Sequence, residues 1–263
     1  MVEREFSTPL VLPVTPAVAK FRGHVAYHEI HPTRADSWYT VPLISFRQQM
    51  RMVAQVGGIH VTFDDGTYPA YHYGAEILAD FGIRATFFVC AGLIGSPKFM
   101  EWDHIRQLAD EGHEIQCHGW RHRLLTHCNT RELQEELIGS RLTIENKIGR
   151  EITAISLPGG RVNSYVLAQC AQAGYTTVYS SDPWVDRQDK SGVHVQGRMM
   201  INRNTTPQTL RWLSQGSRRI HWPLRVKGLL RSGAKVCIGD QFYQQLWRKL
   251  SGRSGFATSG AES

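Results

Sequence analysis

The chain has 263 residues, 41% of them hydrophobic, enough for one large domain or two small ones with a sizeable core. Its formal charge is +7, yet residues 1–217 balance 21 basic against 21 acidic side chains, so the whole excess lies in 218–263 and the high isoelectric point says nothing about the main body. No apolar run of about 18 residues and no basic start followed by an apolar stretch is present, which argues against a membrane-spanning helix and a secretory signal. Five cysteines (Cys90, Cys117, Cys128, Cys170, Cys237), odd in number and without C-x-x-C spacing, argue against a disulfide framework and a cysteine zinc knuckle.

From about residue 59 short apolar runs alternate with helical patterns. "GIHVTF" predicts a buried strand, and "AYHYGAEILADFG" a helix closed by Gly82. "RATFFV" is a second strand, "EWDHIRQLADEG" a helix ending at Gly112, and "HEIQCH" a third strand. "TRELQEELIGSRLTIENKIG" predicts one long amphipathic helix, N-capped by Thr130, with Leu133, Leu137, Leu142 and Ile144 on its apolar face. "ITAISLP", "NSYVLAQCAQAG" and "YTTVYSS" continue as strand, helix and strand. Such alternation implies parallel βα units, whose chemistry gathers at the carboxyl ends of the strands. Asp64-Asp65, His118, Pro158-Gly159-Gly160 and Ser181-Asp182 each follow a predicted strand and would share one rim.

At that rim "HGWRH" spaces two imidazoles four residues apart, which on a helical turn brings them to one side. With a carboxylate they make a site for a divalent metal, especially zinc. The paired aspartates then divide the work: one carboxylate holds the cation, and the other takes a proton from an activated water. Gly66 permits a sharp turn just beyond them. A surface histidine pair and a plain tight turn are the bland readings of the same letters. Neither a G-x-S-x-G elbow nor a phosphate loop appears, and Cys117 alternates to the side opposite His118.

"TFDDG", "ATFFV" and "EGHEIQCHGWRH", with "YHEI" near residue 27 as an opening motif, resemble the NodB-type polysaccharide deacetylase superfamily over about residues 24–203. The resemblance implies an irregular (β/α) barrel of about seven strands that removes acetyl groups from sugars with a bound divalent metal. It makes Asp64 the general base and Asp65, His118 and His122 the metal ligands; zinc is the first expectation, with cobalt, nickel or manganese as substitutes. Tyr68, Trp120, Pro158 and Gly159, on the same rim, are the expected substrate-binding residues, and a backbone N–H near Tyr68 is the expected donor to the oxyanion.

The later motifs depart from the family pattern. Gly119 stands where a Ser or Thr usually follows the first histidine, removing a hydroxyl that braces the loop. Ser156-Leu157-Pro158-Gly159-Gly160 lacks the arginine that usually steadies the base. Arg198, in "GRMMI", is the expected substitute, with Arg161 next. The Leu-x-His motif that supplies the general acid is missing, and His194 is the residue in roughly its region.

The predicted organisation is an N-terminal extension (1–23), the barrel (24–217), a basic amphipathic tail (218–252) and a disordered end (253–263). The tail mixes Arg and Lys with Trp222, Phe242, Tyr243 and Trp247, a pattern suited to an anionic membrane surface or to a helix covering the barrel, with no nucleic acid expected. The expected setting is cytoplasmic, with the inner membrane face as the alternative location. The expected substrate is an N-acetylated sugar of a polysaccharide or lipid-linked glycan. A related hydrolase of another non-peptide C–N or ester bond, and a sugar-binding barrel without turnover, are the alternatives.

Overall fold

The computed structural model describes residues 23–33 and 37–216. The N-terminal extension, the basic tail and the predicted disordered end lie outside the described residues, apart from Gly23.

In chain order the strands are β1 (Gly23–Tyr27), β2 (Glu29–His31) and β3 (Thr40–Pro42), then helix α1 (Leu43–Val56) and β4 (Ile59–Phe63). A π turn (Ala70–Ala75) runs into α2 (Glu76–Asp80), followed by β5 (Ala85–Val89), α3 (Trp102–Asp110) and β6 (Glu114–Cys117). Next come α4 (Thr130–Gln134), a π turn (Glu135–Gly139), α5 (Ser140–Ile148), β7 (Ala154–Ser156), α6 (Ser164–Gln172) and β8 (Thr177–Ser180). The described chain ends with β9 (Asp186–Gln188), β10 (His194–Gly197), β11 (Met199–Met200) and α7 (Pro207–Ser214).

The large sheet is ordered β11-β1-β4-β5-β6-β7-β8-β10-β9, parallel except where β9 hangs antiparallel on β10. β10 and β11 are two halves of one strand broken at Arg198. Its first half pairs with β8 and its second with β1, so one strand joins the two edges of the curled sheet. Counted that way, seven staves surround the interior: β1, β4, β5, β6, β7, β8 and the strand over 194–200. Gly197 sits where this strand crosses the loop after β8, and a Cβ there would stand 1.8 Å from the Asp182 carbonyl oxygen.

Alternation along the strands divides the core. Tyr27, Phe63 and Phe87 face outward; Phe63 stacks on Phe87 with ring centroids 4.8 Å apart and meets Phe46 of α1 at 5.8 Å. Burying rings of this size supplies roughly 1.5–3 kcal/mol each. The intervening positions, among them Thr62, Asp64, Thr86, Phe88, His118, Ser156 and Tyr179, face inward, so the barrel interior is unusually polar.

The predicted strands and helices from residue 59 to 180 are present. The long helix is corrected in two respects. Its N-cap is Asn129, not Thr130: Asn129 Oδ1 accepts from the Glu132 amide at 3.0 Å, and Glu132 reaches back to the Asn129 amide at 2.9 Å. A π turn also interrupts it, and Leu142, five residues after Leu137, falls off the buried face and is 46% exposed.

Candidate functional site

Asp64 and Asp65 follow β4 directly, and the backbone sends them to different partners. Asp64 continues the strand, its amide donating to the Tyr27 carbonyl at 2.9 Å. Asp65 is left-handed (φ 74°), as is Gly66 (φ 79°). Aspartate tolerates this region better than most side chains, and the reversal turns Asp65 away from its neighbour.

Asp65 Oδ1 lies 3.3 Å from His118 Nε2 and 3.3 Å from His122 Nε2. One ligand atom from each of the three residues lies within 4.8 Å of the others, the one such grouping of three or more His, Cys, Asp or Glu among the described residues. His118 Nδ1 lies 2.8 Å from the Ser156 carbonyl oxygen, to which it can only donate. That bond fixes a proton on Nδ1, so the neutral ring turns its Nε2 lone pair toward Asp65. The segment between the histidines is a loop, not the helical turn expected from their spacing. Gly119 (φ 83°) and His122 (φ 58°) are both left-handed, and the two rings still come within 5.0 Å.

Asp64 is 2% exposed and faces Arg198, which is equally buried. The guanidinium grips the carboxylate by both oxygens, Nη1 to Oδ1 at 2.7 Å and Nη2 to Oδ2 at 2.8 Å. Arg198 also donates to Thr62 Oγ1 at 2.8 Å and Ser156 Oγ at 2.6 Å, and its plane lies over Phe88 and Tyr179 at 5.0 and 5.5 Å. Ser156 Oγ in turn donates to Asp64 Oδ2 at 3.3 Å. Burial pushes the Asp64 carboxyl up, but Arg198 and His118 outweigh it and hold the group at about 2. Burial likewise raises Asp65, and the two histidines more than reverse it, leaving that carboxyl well below the usual range.

The polysaccharide deacetylase family model matches residues 54–178, a span containing both aspartates and both histidines. Over that span the chain is similar to the polysaccharide deacetylase family. It is 30% identical over 146 residues to a chitooligosaccharide deacetylase of Bradyrhizobium, covering 54% of this chain and 65% of that one. It is 28% identical over 121 residues to a peptidoglycan-N-acetylglucosamine deacetylase of Bacillus cereus, covering 46% and 54%. The chain thus spans less than two thirds of the length of these curated relatives. Among solved structures, the Streptococcus pyogenes deacetylase PplD in complex with acetate superposes with a TM-score of 0.66 at 20% identity, over 73% of this chain and 97% of that one. IcaB of Ammonifex degensii gives 0.63 at 19% identity, over 73% and 96%. These two likenesses concern the fold.

Against the deacetylase pattern, Ser156 occupies the place of the motif arginine, and Arg198 reaches Asp64 from the last strand of the barrel. Arg161 lies just beyond the turn Pro158–Gly160. That turn closes the rim after β7; Pro158 is buried, Gly159 is exposed, and a Cβ on Gly159 would stand 2.6 Å from Leu124. Tyr68 is 39% exposed, and its ring stacks on His72 at 5.4 Å. Its own backbone N–H donates to the Lys98 carbonyl at 2.8 Å. Trp120 is half-buried and packs over Gly92, whose missing Cβ would meet the indole at 2.5 Å. His194 is also corrected. It opens β10 at the opposite mouth of the barrel and pairs with Asp186 at 3.1 Å, so it does not reach this rim.

Three site residues escaped the sequence reading. Ser156 supplies both a carbonyl to His118 and a hydroxyl to the Asp64–Arg198 pair. Thr62 bonds Arg198 one alternation below Asp64, a position that inward periodicity could have flagged. His28, 8% exposed, follows β1, and its charge acts on both Asp64 and Asp65; the "YHEI" motif was its signal.

Proposed function

We propose that the chain is a metal-dependent hydrolase that removes N-acetyl groups from a sugar of a glycan, with Asp64 as general base. The observation that carries this reading is the division of two adjacent aspartates between two partners. Asp65 faces two imidazoles, and Asp64 faces a buried arginine.

The donor set fits a divalent ion. Two imidazole nitrogens and one carboxylate oxygen converge, one tautomer is fixed from behind, and this mixture suits zinc. Bound there, such an ion would supply Lewis acidity to the acetyl carbonyl and to the attacking water. The chain's own residues do the rest. A carboxylate offers about four lone-pair positions; Arg198 takes two and Ser156 a third, so Asp64 Oδ1 keeps the remaining one for the water proton. The bidentate grip holds the carboxylate plane still and keeps it ionised at neutral pH. His28, an imidazole at this rim outside the ligand set, is the group we assign to return a proton to the sugar nitrogen as acetate leaves. Tyr68, exposed at the edge, presents an aromatic face to the sugar.

The test compares the unaltered chain with Asp64→Asn, each loaded with zinc, by acetate release from N-acetylated glycan oligosaccharides. Asp64→Asn should keep about one equivalent of zinc and lose roughly 10²–10⁴-fold in turnover, the usual contribution of a general base. Undiminished turnover in Asp64→Asn would sink the role given to that residue.

A further inference from the structure

Glu136 is a buried carboxylate that the proposed reaction does not use. Its side chain is 0% exposed, on the π turn Glu135–Gly139 behind the rim. Burying a charge costs several kcal/mol unless hydrogen bonds compensate it. The compensation comes from the loop joining the two histidine ligands. Glu136 Oε2 accepts from the Trp120 amide at 2.7 Å, and the Arg121 amide reaches both oxygens at 3.1 and 3.2 Å. Arg123 adds a distant charge, its Nε 3.9 Å from Oε1.

The rest of that loop is held just as closely. The Gly119 amide donates to Cys117 Sγ at 3.2 Å, that sulfur lies 3.1 Å from Ser140 Oγ, and Ser140 Oγ donates to the Glu136 carbonyl at 2.5 Å. On the far side, Ala91 and Gly92 donate to the carbonyls of Gly119 and Trp120 at 3.0 and 2.9 Å. The loop needs this bracing because His122 takes a left-handed conformation that few non-glycine residues adopt unaided. The carboxylate and the glycine also exclude any alternative: a Cβ on Gly119 would stand 2.6 Å from Glu136 Oε2. The space that a side chain at position 119 would need is filled by the carboxylate.

We propose that Glu136 is a positioning residue for the Asp65–His118–His122 site, its carboxylate taking over the loop-bracing work that a side chain at position 119 would otherwise do. The inference rests on the metal reading above and deepens it. Without the carboxylate two loop amides lose their acceptor, His122 relaxes away from its left-handed conformation, and its nitrogen leaves Asp65.

The experiment titrates Co2+ alone into the metal-free unaltered chain, into Glu136→Gln and into Glu136→Asp, reading affinity and the visible absorption of the bound ion. Far-UV circular dichroism establishes that each variant is folded at the temperature used. Glu136→Gln keeps the shape but offers the amides one acceptor oxygen instead of two. Glu136→Asp keeps the charge but draws the carboxylate back by one methylene from the loop amides, and stands in should Glu136→Gln fail to fold. Both should bind Co2+ about 10–100-fold more weakly, as loss of a ligand-orienting partner does elsewhere, with an altered spectrum. A merely structural role would lower stability and leave the spectrum unmoved. Folded variants that match the unaltered chain in affinity and spectrum would overturn the role of Glu136 and leave the metal reading standing. No Co2+ uptake by the unaltered chain would overturn the metal reading itself, and Glu136's role with it.

Discussion

His118 and His24 face the same barrel interior from opposite mouths. Burial pushes both imidazoles down. At the rim Asp64 and Asp65 outweigh burial and His118 ends up raised. At the other mouth the neighbours of His24 are His60, Arg198 and His194, all positive when charged, and its pKa falls to about 3. His60 falls as well, by burial, although Glu114 opposes it. The polar groups there are bonded among themselves: His60 Nε2 lies 2.9 Å from Thr86 Oγ1, which donates to Glu114 Oε2 at 2.9 Å. Both mouths carry histidines and carboxylates. At the rim a carboxylate faces two imidazoles across a short gap, and at the base the carboxylates are already satisfied. Residue type alone does not make a site; the packing behind it does.

The largest test of this contrast is at the rim. His118→Ala should lose metal uptake and turnover together, by more than the roughly 10–100-fold caused by loss of a supporting partner, as measured by metal content and acetate release. Equal metal content in His118→Ala would erase the distinction between the mouths.

Next in size is Arg198→Gln. It leaves Asp64 buried beside a neutral partner, and breaking such a pair costs about 3–5 kcal/mol, readable in urea unfolding of the metal-free chain. The sign with pH follows from the depressed carboxyl. Asp64 titrates at about 2 in the fold and at 3.8 when unperturbed. Its stabilisation is therefore complete above about pH 4 and lost as pH falls through about 2. Without Arg198, burial raises the Asp64 carboxyl in the variant, so the gap between the unaltered chain and Arg198→Gln should be widest at neutral pH and narrow as pH falls and Asp64 takes up a proton, first in the variant and then in the unaltered chain.

The smallest effects belong to the far mouth. His24 remains neutral in the fold and charges near 6.5 when unfolded, so it opposes folding as pH falls from 6.5 toward 3. His24→Asn should flatten the fall in melting temperature across that window while leaving acetate release near neutral pH unchanged. His194→Ala, at a half-exposed position paired with Asp186, should change turnover by no more than about twofold.

Much of this was legible in the letters. The 3.6- and 2-residue periods placed the strands and helices between residues 59 and 180, and the strand-end rule gathered Asp64, Asp65 and His118 at one rim. What could not be read was whatever depends on three-dimensional closure. Arg198 lies 134 residues from Asp64, and no local pattern says that its strand joins the two edges of the sheet. His194 was misplaced for the same reason: four residues earlier on that strand, it sits at the opposite mouth. Glu136 reads as one acidic residue among several on an amphipathic helix, and only the packed loop shows why it is buried. The N-cap was missed by one residue because Asn129 and Thr130 are both good caps, and the Asn129–Glu132 pairing decides between them.

The strand that joins the sheet edges also orders events in time. A chain made from its amino end has all three members of the Asp65–His118–His122 cluster by residue 122, but Asp64 waits another 76 residues for its arginine. At roughly 5–20 residues per second that wait is about 4–15 seconds. Until then a carboxylate inside a closed barrel would be an unpaired buried charge, which several kcal/mol oppose. Pairing of Asp64 with Arg198 and closure of the seam are therefore coupled, since both depend on the one strand that carries Arg198.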